Sequence, residues 1–363
     1  MFLAWRDLRR TWRRFLLVGL VVVLVAVLST VLAGLADGLV RDGTSGLRAL
    51  PYTHLALEPG SQAVFSRSSV NENALTAWQQ VQGAQASPIG VSFVNAASTN
   101  GGPSLDLALF GVPPESFLVR RPEAQAALAG PPGLVLASEL ESQGVKIGDE
   151  YRLGGSDVTL PVLGFTFAGS YGHVAIAYTS LATWQSITYG NDARGRFSAV
   201  ALGLPAGTDI AAADAAAGTE VKTKAASYDG SPGFTAETAT MTLIRGFLLV
   251  ISALIVGAFF TVLTVQRTRQ IGLLKAMGAS SAYVLRDGLG QMTVVVVAST
   301  VAGTAVGAGI VALLNGGSAP VELVWSSVAT SAALLIITGI IGSLVPFRRI
   351  TAVEPAIALG VES

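Results

Sequence analysis

Residues 267–281 read Arg-Thr-Arg-Gln-Ile-Gly-Leu-Leu-Lys-Ala-Met-Gly-Ala-Ser-Ser, directly behind an apolar run from Phe247 to Val265. At helical spacing Ile271, Leu274 and Met277 share one face, while Arg267, Arg269 and Lys275 keep the flanks basic. Gly278 supplies a helix stop. A basic amphipathic helix continuous with a membrane span can pass force between that span and a partner on the cytoplasmic side. The plainer reading is a solvated basic flank that only sets the orientation of the span.

Composition supports a bilayer setting. Of 363 residues, 51% are hydrophobic and 13% charged, with zero net charge, a balance expected of a membrane protein. Neutral charge gives no sign of nucleic acid. With no cysteine there is no disulfide, thiol nucleophile or thiolate metal site. The two histidines, His54 and His173, are far apart in sequence, which argues against zinc or histidine-based catalysis. None of the four lysines follows a glycine, so a Gly-Lys-Ser/Thr phosphate loop cannot form. The Gly-x-Ser-x-Gly and His-Glu-x-x-His patterns are also missing. The chain reads as a non-enzyme.

Four apolar runs organise the chain. Residues 1–14 carry five arginines against Asp7, with Phe2, Trp5, Leu8 and Trp12 at about helical spacing; they form a basic amphipathic helix suited to a membrane surface. A first span over 15–41 follows. Its apolar core, Phe15 to Ala36, reaches roughly 33 Å, enough for a bilayer core of about 30 Å. Residues 42–240 alternate short strands with Gly/Pro turns and helical pieces, which predicts one water-soluble α+β domain. In it Tyr171, His173 and Tyr178 read as core or surface residues, and Asp149 and Glu150 as turn residues. Further spans are expected at 241–265, 291–314 and 324–345, with a cytoplasmic segment at 266–290 and a cytoplasmic tail at 346–363. The third is rich in small residues, as suits close helix packing in lipid. Basic residues gather at the N-terminus, at 266–290 and in the tail, whereas the 315–323 loop has none. Both termini are therefore expected in the cytoplasm of a bacterial plasma-membrane protein, with 42–240 outside. The predicted class is an α-helical membrane protein with four transmembrane helices and an α+β extracellular domain inserted between the first and second.

The segment around Arg-x-Arg-x-Ile-Gly-x-Leu-Lys-Ala-x-Gly-Ala resembles the signature that follows the second span of FtsX-like, MacB-type ABC-transporter permeases. The runs Gly133-Leu-Val-Leu-Ala-Ser-Glu-Leu and Gly144-Val-Lys-Ile-Gly-Asp-Glu-Tyr-Arg-Leu resemble the core of that family's extracytoplasmic domain. The tail from Arg348 resembles its C-terminal pattern. The resemblance implies that Arg267, Arg269, Ile271, Leu274, Lys275, Met277 and Gly278 dock on a separate ABC ATPase subunit, a dimer on the cytoplasmic side. Four spans are also few for a pathway, so a homodimeric permease is expected. The leader Leu8-Arg-Arg-x-x-x-Arg-Phe-Leu-Leu-Val-Gly, with Leu32-Ala-Gly-Leu-Ala-Asp-Gly-Leu closing span one, is similar to heme-exporting permeases of Gram-positive bacteria and to DevC-like permeases.

Under that resemblance heme is the expected cargo, and the residues can be inspected for a place to hold it. Glu237, Met241 and Arg245 are four apart, on one face of a helix entering the second span. A thioether is a known axial ligand to heme iron, and a carboxylate can supply the other. Arg245 or Arg41 can meet the propionates. Tyr228 and Phe234 lie just upstream and can stack on a porphyrin. Plainer readings stay open: Met241 as a gap-filler between helices, Glu237 as a favourable charge at a helix start, Arg245 as a side chain snorkelling to headgroups. Two other functions also stay open. One is a mechanotransmitter that signals to a cell-wall hydrolase and moves no cargo; the other is a lipoprotein-releasing permease.

Overall fold

The computed structural model describes residues 12–156, 158–192, 195–266, 272–273, 275, 277–315 and 319–344. The chain divides into two compact units, one of residues 1–39 with 238–363 and one of residues 40–237.

The first unit is helical. It contains most of α1 (Trp12–Ala49) and α7 (Phe234–Gln266), with α8 (Ser281–Leu314) and α9 (Trp325–Ser343). All four helices are long and apolar enough to cross a membrane. Leu17, Leu20 and Leu24 on α1, Phe247 and Leu254 on α7, and Val301 on α8 are exposed large apolar residues, a surface that suits lipid rather than water. Inside, Phe15, Phe260, Val284, Met292 and Val295 form one apolar cluster, and Val18, Val22, Val256 and Val296 another. Small residues set the closest crossings. A Cβ added at Gly303 would lie 2.5 Å from the Val23 carbonyl oxygen, and one at Gly307 would lie 2.7 Å from Thr30 Cβ. This Gly-x-x-x-Gly pair of α8 lets two backbones approach where apolar surface alone gives no net attraction in lipid. The α8 helix begins ten residues before the apolar run, because Ser280 caps it by accepting from Tyr283 N. Residues 281–290, within the segment 266–290 expected to be cytoplasmic, are thus the first turns of α8.

The second unit is strand-rich. After β1 (His54–Leu57), α2 (Glu72–Gln79), β2 (Gln85–Ser98) and β3 (Leu105–Val112) come α3 (Pro122–Ala129), β4 (Leu134–Ala137), α4 (Glu139–Ser142) and β5 (Glu150–Leu153). Then follow β6 (Thr159–Thr166), β7 (Ser170–Tyr171), β8 (Val174–Ser180), α5 (Leu181–Tyr189), β9 (Ala199–Gly203), α6 (Ile210–Ala217) and β10 (Glu220–Thr223). The ten strands run β10-β1-β9-β2-β3-β8-β4-β6-β5, with β7 on β8. The end of β2 also pairs with β5, Ala96 opposite Leu153, which closes the strands from β2 to β5 into a ring. Most pairings are antiparallel, whereas β3–β8 and β4–β6 are parallel. This mixed order matches the α+β expectation.

Two apolar clusters are buried in this unit, one around Phe110, Tyr171 and Tyr178 and one around Trp78, Tyr151 and Trp184. Gly90 and Gly111 sit opposite one another on β2 and β3 and form a flat bed for the Trp184 indole, which a Cβ on either would strike at 2.2–2.3 Å. Trp184 Nε1 donates to Ser92 Oγ at 3.0 Å. Asp149 turns the chain before β5 by accepting from Lys146 N at 2.8 Å, as expected of a turn residue.

The last turns of α1 belong to this unit. The apolar run stops at Ala36, yet the helix continues to Ala49. Its continuation is packed rather than solvated: Leu47 is buried, and a Cβ on Gly46 would lie 2.9 Å from the Ser170 carbonyl oxygen. Lys224 Nζ ends it by donating to the Arg48 and Leu50 carbonyls at 2.8 and 2.5 Å.

Candidate functional site

The β7–β8 hairpin has a two-residue turn, Gly172-His173, with φ of +61° and +65°. Positive φ at both central positions is the type I′ pattern, whose backbone twist suits the flanking strands. Gly172 meets it without strain. His173 is one of three non-glycine residues with positive φ among the described residues.

The imidazole so placed lies between two carboxylates. His173 Nδ1 is 2.8 Å from Asp42 Oδ2, and Nε2 is 2.9 Å from Glu237 Oε1. A neutral imidazole has one N–H, so both contacts are hydrogen bonds only in the imidazolium. Burial acts to lower this pKa, but the bonds to Asp42 and Glu237 outweigh it and hold the group above its ordinary value. Asp42 lies two turns before the end of α1, and Glu237 is in the first turn of α7. Asp42 is held in turn by Ser170 Oγ, which donates to its main-chain and side-chain oxygens. Gly43 lies against the ring, with its virtual Cβ 3.2 Å from Nε2. Close by, Glu139 is pushed above the usual carboxylate range by burial and by the Asp42 charge.

The other expected cargo residues distribute as follows. Met241 and Arg245 follow Glu237 at one-turn intervals on α7, half-buried. Arg245 Nη2 donates to the Ala33 carbonyl at 3.2 Å. It also lines a cavity of about 240 Å³ with Ser29, Ser326, Ser327, Thr330 and Ser331. Tyr228 is covered by Arg48, whose guanidinium carbon sits 4.7 Å from the ring centroid. Phe234 opens α7 and is half-buried, and Arg41 is exposed. Of the seven residues expected to meet an ATPase partner, Lys275, Met277 and Gly278 are described: Gly278 has φ +94°, as a helix stop requires, and Met277 is exposed. Arg267, Arg269, Ile271 and Leu274 lie outside the described residues, as do residues 1–11 and the tail from 345.

Sequence reasoning set His173 aside as core or surface. The contacts that hold its imidazole span 131 and 64 residues, beyond the reach of any spacing rule. The available signal was a Gly-His pair at a sharp turn between short strands.

The C-terminal part of the chain, residues 242–355, matches the family of FtsX-like permease C-terminal domains. Over 99% of both chains, the protein is 24% identical to one named as the hemin transport system permease HrtB of Staphylococcus haemolyticus. It is 21% identical, over the same share, to its namesake from Staphylococcus epidermidis. Over 34% of this chain and 20% of the relative, it is 28% identical to the macrolide export ATP-binding/permease protein MacB of Wolinella succinogenes.

Proposed function

We propose, for a chain that carries an FtsX-like permease domain over residues 242–355, that it is the permease subunit of an ABC-type efflux pump exporting heme or a similar flat amphiphile. Two copies form the permease, and a separate subunit hydrolyses ATP. One observation carries the cargo assignment. Similarity to the hemin permeases runs through the strand-rich unit and all four candidate spans, whereas similarity to MacB covers about a third of the chain.

The residues fit such a cargo. Glu237 offers an oxygen and Met241 a thioether on one face of α7, both ligand types for ferric heme. Arg245 lies one turn further, a counter-charge for propionate. The chain's own task is to bind, orient and release the cargo; the energy enters through the partner.

Hemin titration of the purified protein in detergent, read at the Soret band without the ATPase partner, tests the reading. Glu237→Ala and Met241→Ala should each weaken binding about tenfold, the loss of roughly 1.4 kcal/mol. Unchanged affinity in both variants would remove these residues from the site.

A further inference from the structure

We propose that His173 is a positioning residue for the Glu237 carboxylate: anchored by Asp42, it fixes Glu237 Oε1 and leaves Oε2 directed at the cargo. The inference rests on the reading of Glu237 as a cargo ligand and adds the residues that aim it.

Three observations support it. The first is the connected line Asp42–His173–Glu237, with contacts of 2.8 and 2.9 Å. Among the described residues only Oε1 of Glu237 has a side-chain partner; Oε2 is left for a ligand. A carboxylate that binds metal through one oxygen gains geometry and affinity when the other is hydrogen-bonded, and losing such an outer partner typically costs about 10- to 100-fold in affinity.

The second is the depth of support behind the imidazole. Ser170 Oγ donates to Asp42, Ser170 N donates to Ser45 Oγ at 2.8 Å, and Gly172 N donates to the Gly43 carbonyl at 3.0 Å. The turn bearing His173 is therefore tied to α1 by main chain as well as side chain. A surface histidine with no task needs no such scaffold.

The third is the backbone. His173 occupies φ +65° at a turn position where glycine is preferred. A residue kept in a disfavoured conformation points to a role for its side chain. This strain also separates a positioning role from a merely structural one. His173→Gly suits the turn and preserves the fold, yet deletes the imidazole.

The test uses the full-length protein in detergent and four variants: His173→Gly, His173→Gln, Asp42→Asn and Glu237→Ala. Hemin affinity, the Soret and charge-transfer bands of the bound ferric heme, and thermal unfolding are measured for each. In His173→Gly, affinity should fall about 10- to 100-fold and the bands should shift, while thermal stability holds. His173→Gln, which keeps one donor, should restore part of the affinity. Asp42→Asn should fall between wild type and His173→Gly. If Glu237→Ala weakens binding but His173→Gly leaves affinity and spectrum unchanged, the positioning role is overturned and the cargo reading stands. If Glu237→Ala itself has no effect, Glu237 is not a cargo ligand and the positioning role falls with it.

Discussion

Placing histidine at the second position of a type I′ turn costs about 1 kcal/mol of backbone strain, and at His173 two hydrogen bonds to carboxylates offset it. Both bonds need the imidazolium, so their contribution to stability depends on pH. Burial acts to lower the pKa of this group, and its two carboxylate partners together outweigh that effect, for a net increase above 6.5. A group whose folded pKa is raised stabilises fully below its unfolded value and loses that contribution as pH climbs through the folded value. Thermal unfolding of the strand-rich unit, followed by fluorescence of the buried Trp78 and Trp184, should therefore show a midpoint that declines as pH rises above about 6.5. In His173→Gln the decline should be flatter; equal slopes in the two proteins would count against the bridge. At this scale the sequence was half legible. Spacing alone put Glu237, Met241 and Arg245 on one helical face, and α7 carries them so. The partners that engage Glu237 and Arg245, His173 and the Ala33 carbonyl, are set by tertiary contacts that no local pattern encodes.

Elements were legible where a local rule defines them. The short apolar run from Leu105 to Phe110 gives β3, buried at all but one position, and the longer apolar runs give four long helices, because strands and membrane spans are both written in neighbouring residues. Lengths were less legible. The α1 helix continues thirteen residues past its apolar run, through glycines that disfavour an isolated helix, because Gly46 and Leu47 pack into the strand-rich unit. Similarly, β2 is 14 residues long because it serves β9, β3 and β5 in turn. The Gly90–Gly111 bed under Trp184 makes the packing testable. Gly111→Ala would place a methyl 2.3 Å from Trp184 Cβ, and overpacking of that kind costs about 1–3 kcal/mol. The denaturant midpoint of Gly111→Ala should fall accordingly. Gly164→Ala, in β6 with nothing within 4 Å of the added carbon, should stay near wild type. Equal midpoints would show that the indole moves aside freely.

For the molecule as a whole, the number of spans follows from composition, whereas strand order depends on which distant segments meet, so only the first was legible. Under the proposed function, α7 is the element that would link cargo to motor. It is 33 residues long, about 50 Å at 1.5 Å per residue, and unbroken from Glu237 to Gln266. The basic segment beginning at Arg267 continues directly from it in sequence. If that segment receives the ATPase partner, a push there reaches Glu237 through one continuous hydrogen-bonded rod, and cargo binding and motor coupling become separable by position along it. Arg267→Ala combined with Arg269→Ala should leave hemin affinity within about twofold, since 1.4 kcal/mol is needed for a tenfold change and both residues follow the C-terminal end of α7 in sequence, at the opposite end from Glu237. The same double variant should lose co-purification with the ATPase subunit and cargo-stimulated hydrolysis. Glu237→Ala should give the mirror image, with partner binding intact and hemin affinity reduced. Loss of both properties in the basic-segment variant would mean that the segment supports the fold rather than the coupling, and retention of both would place the motor contact elsewhere in the chain.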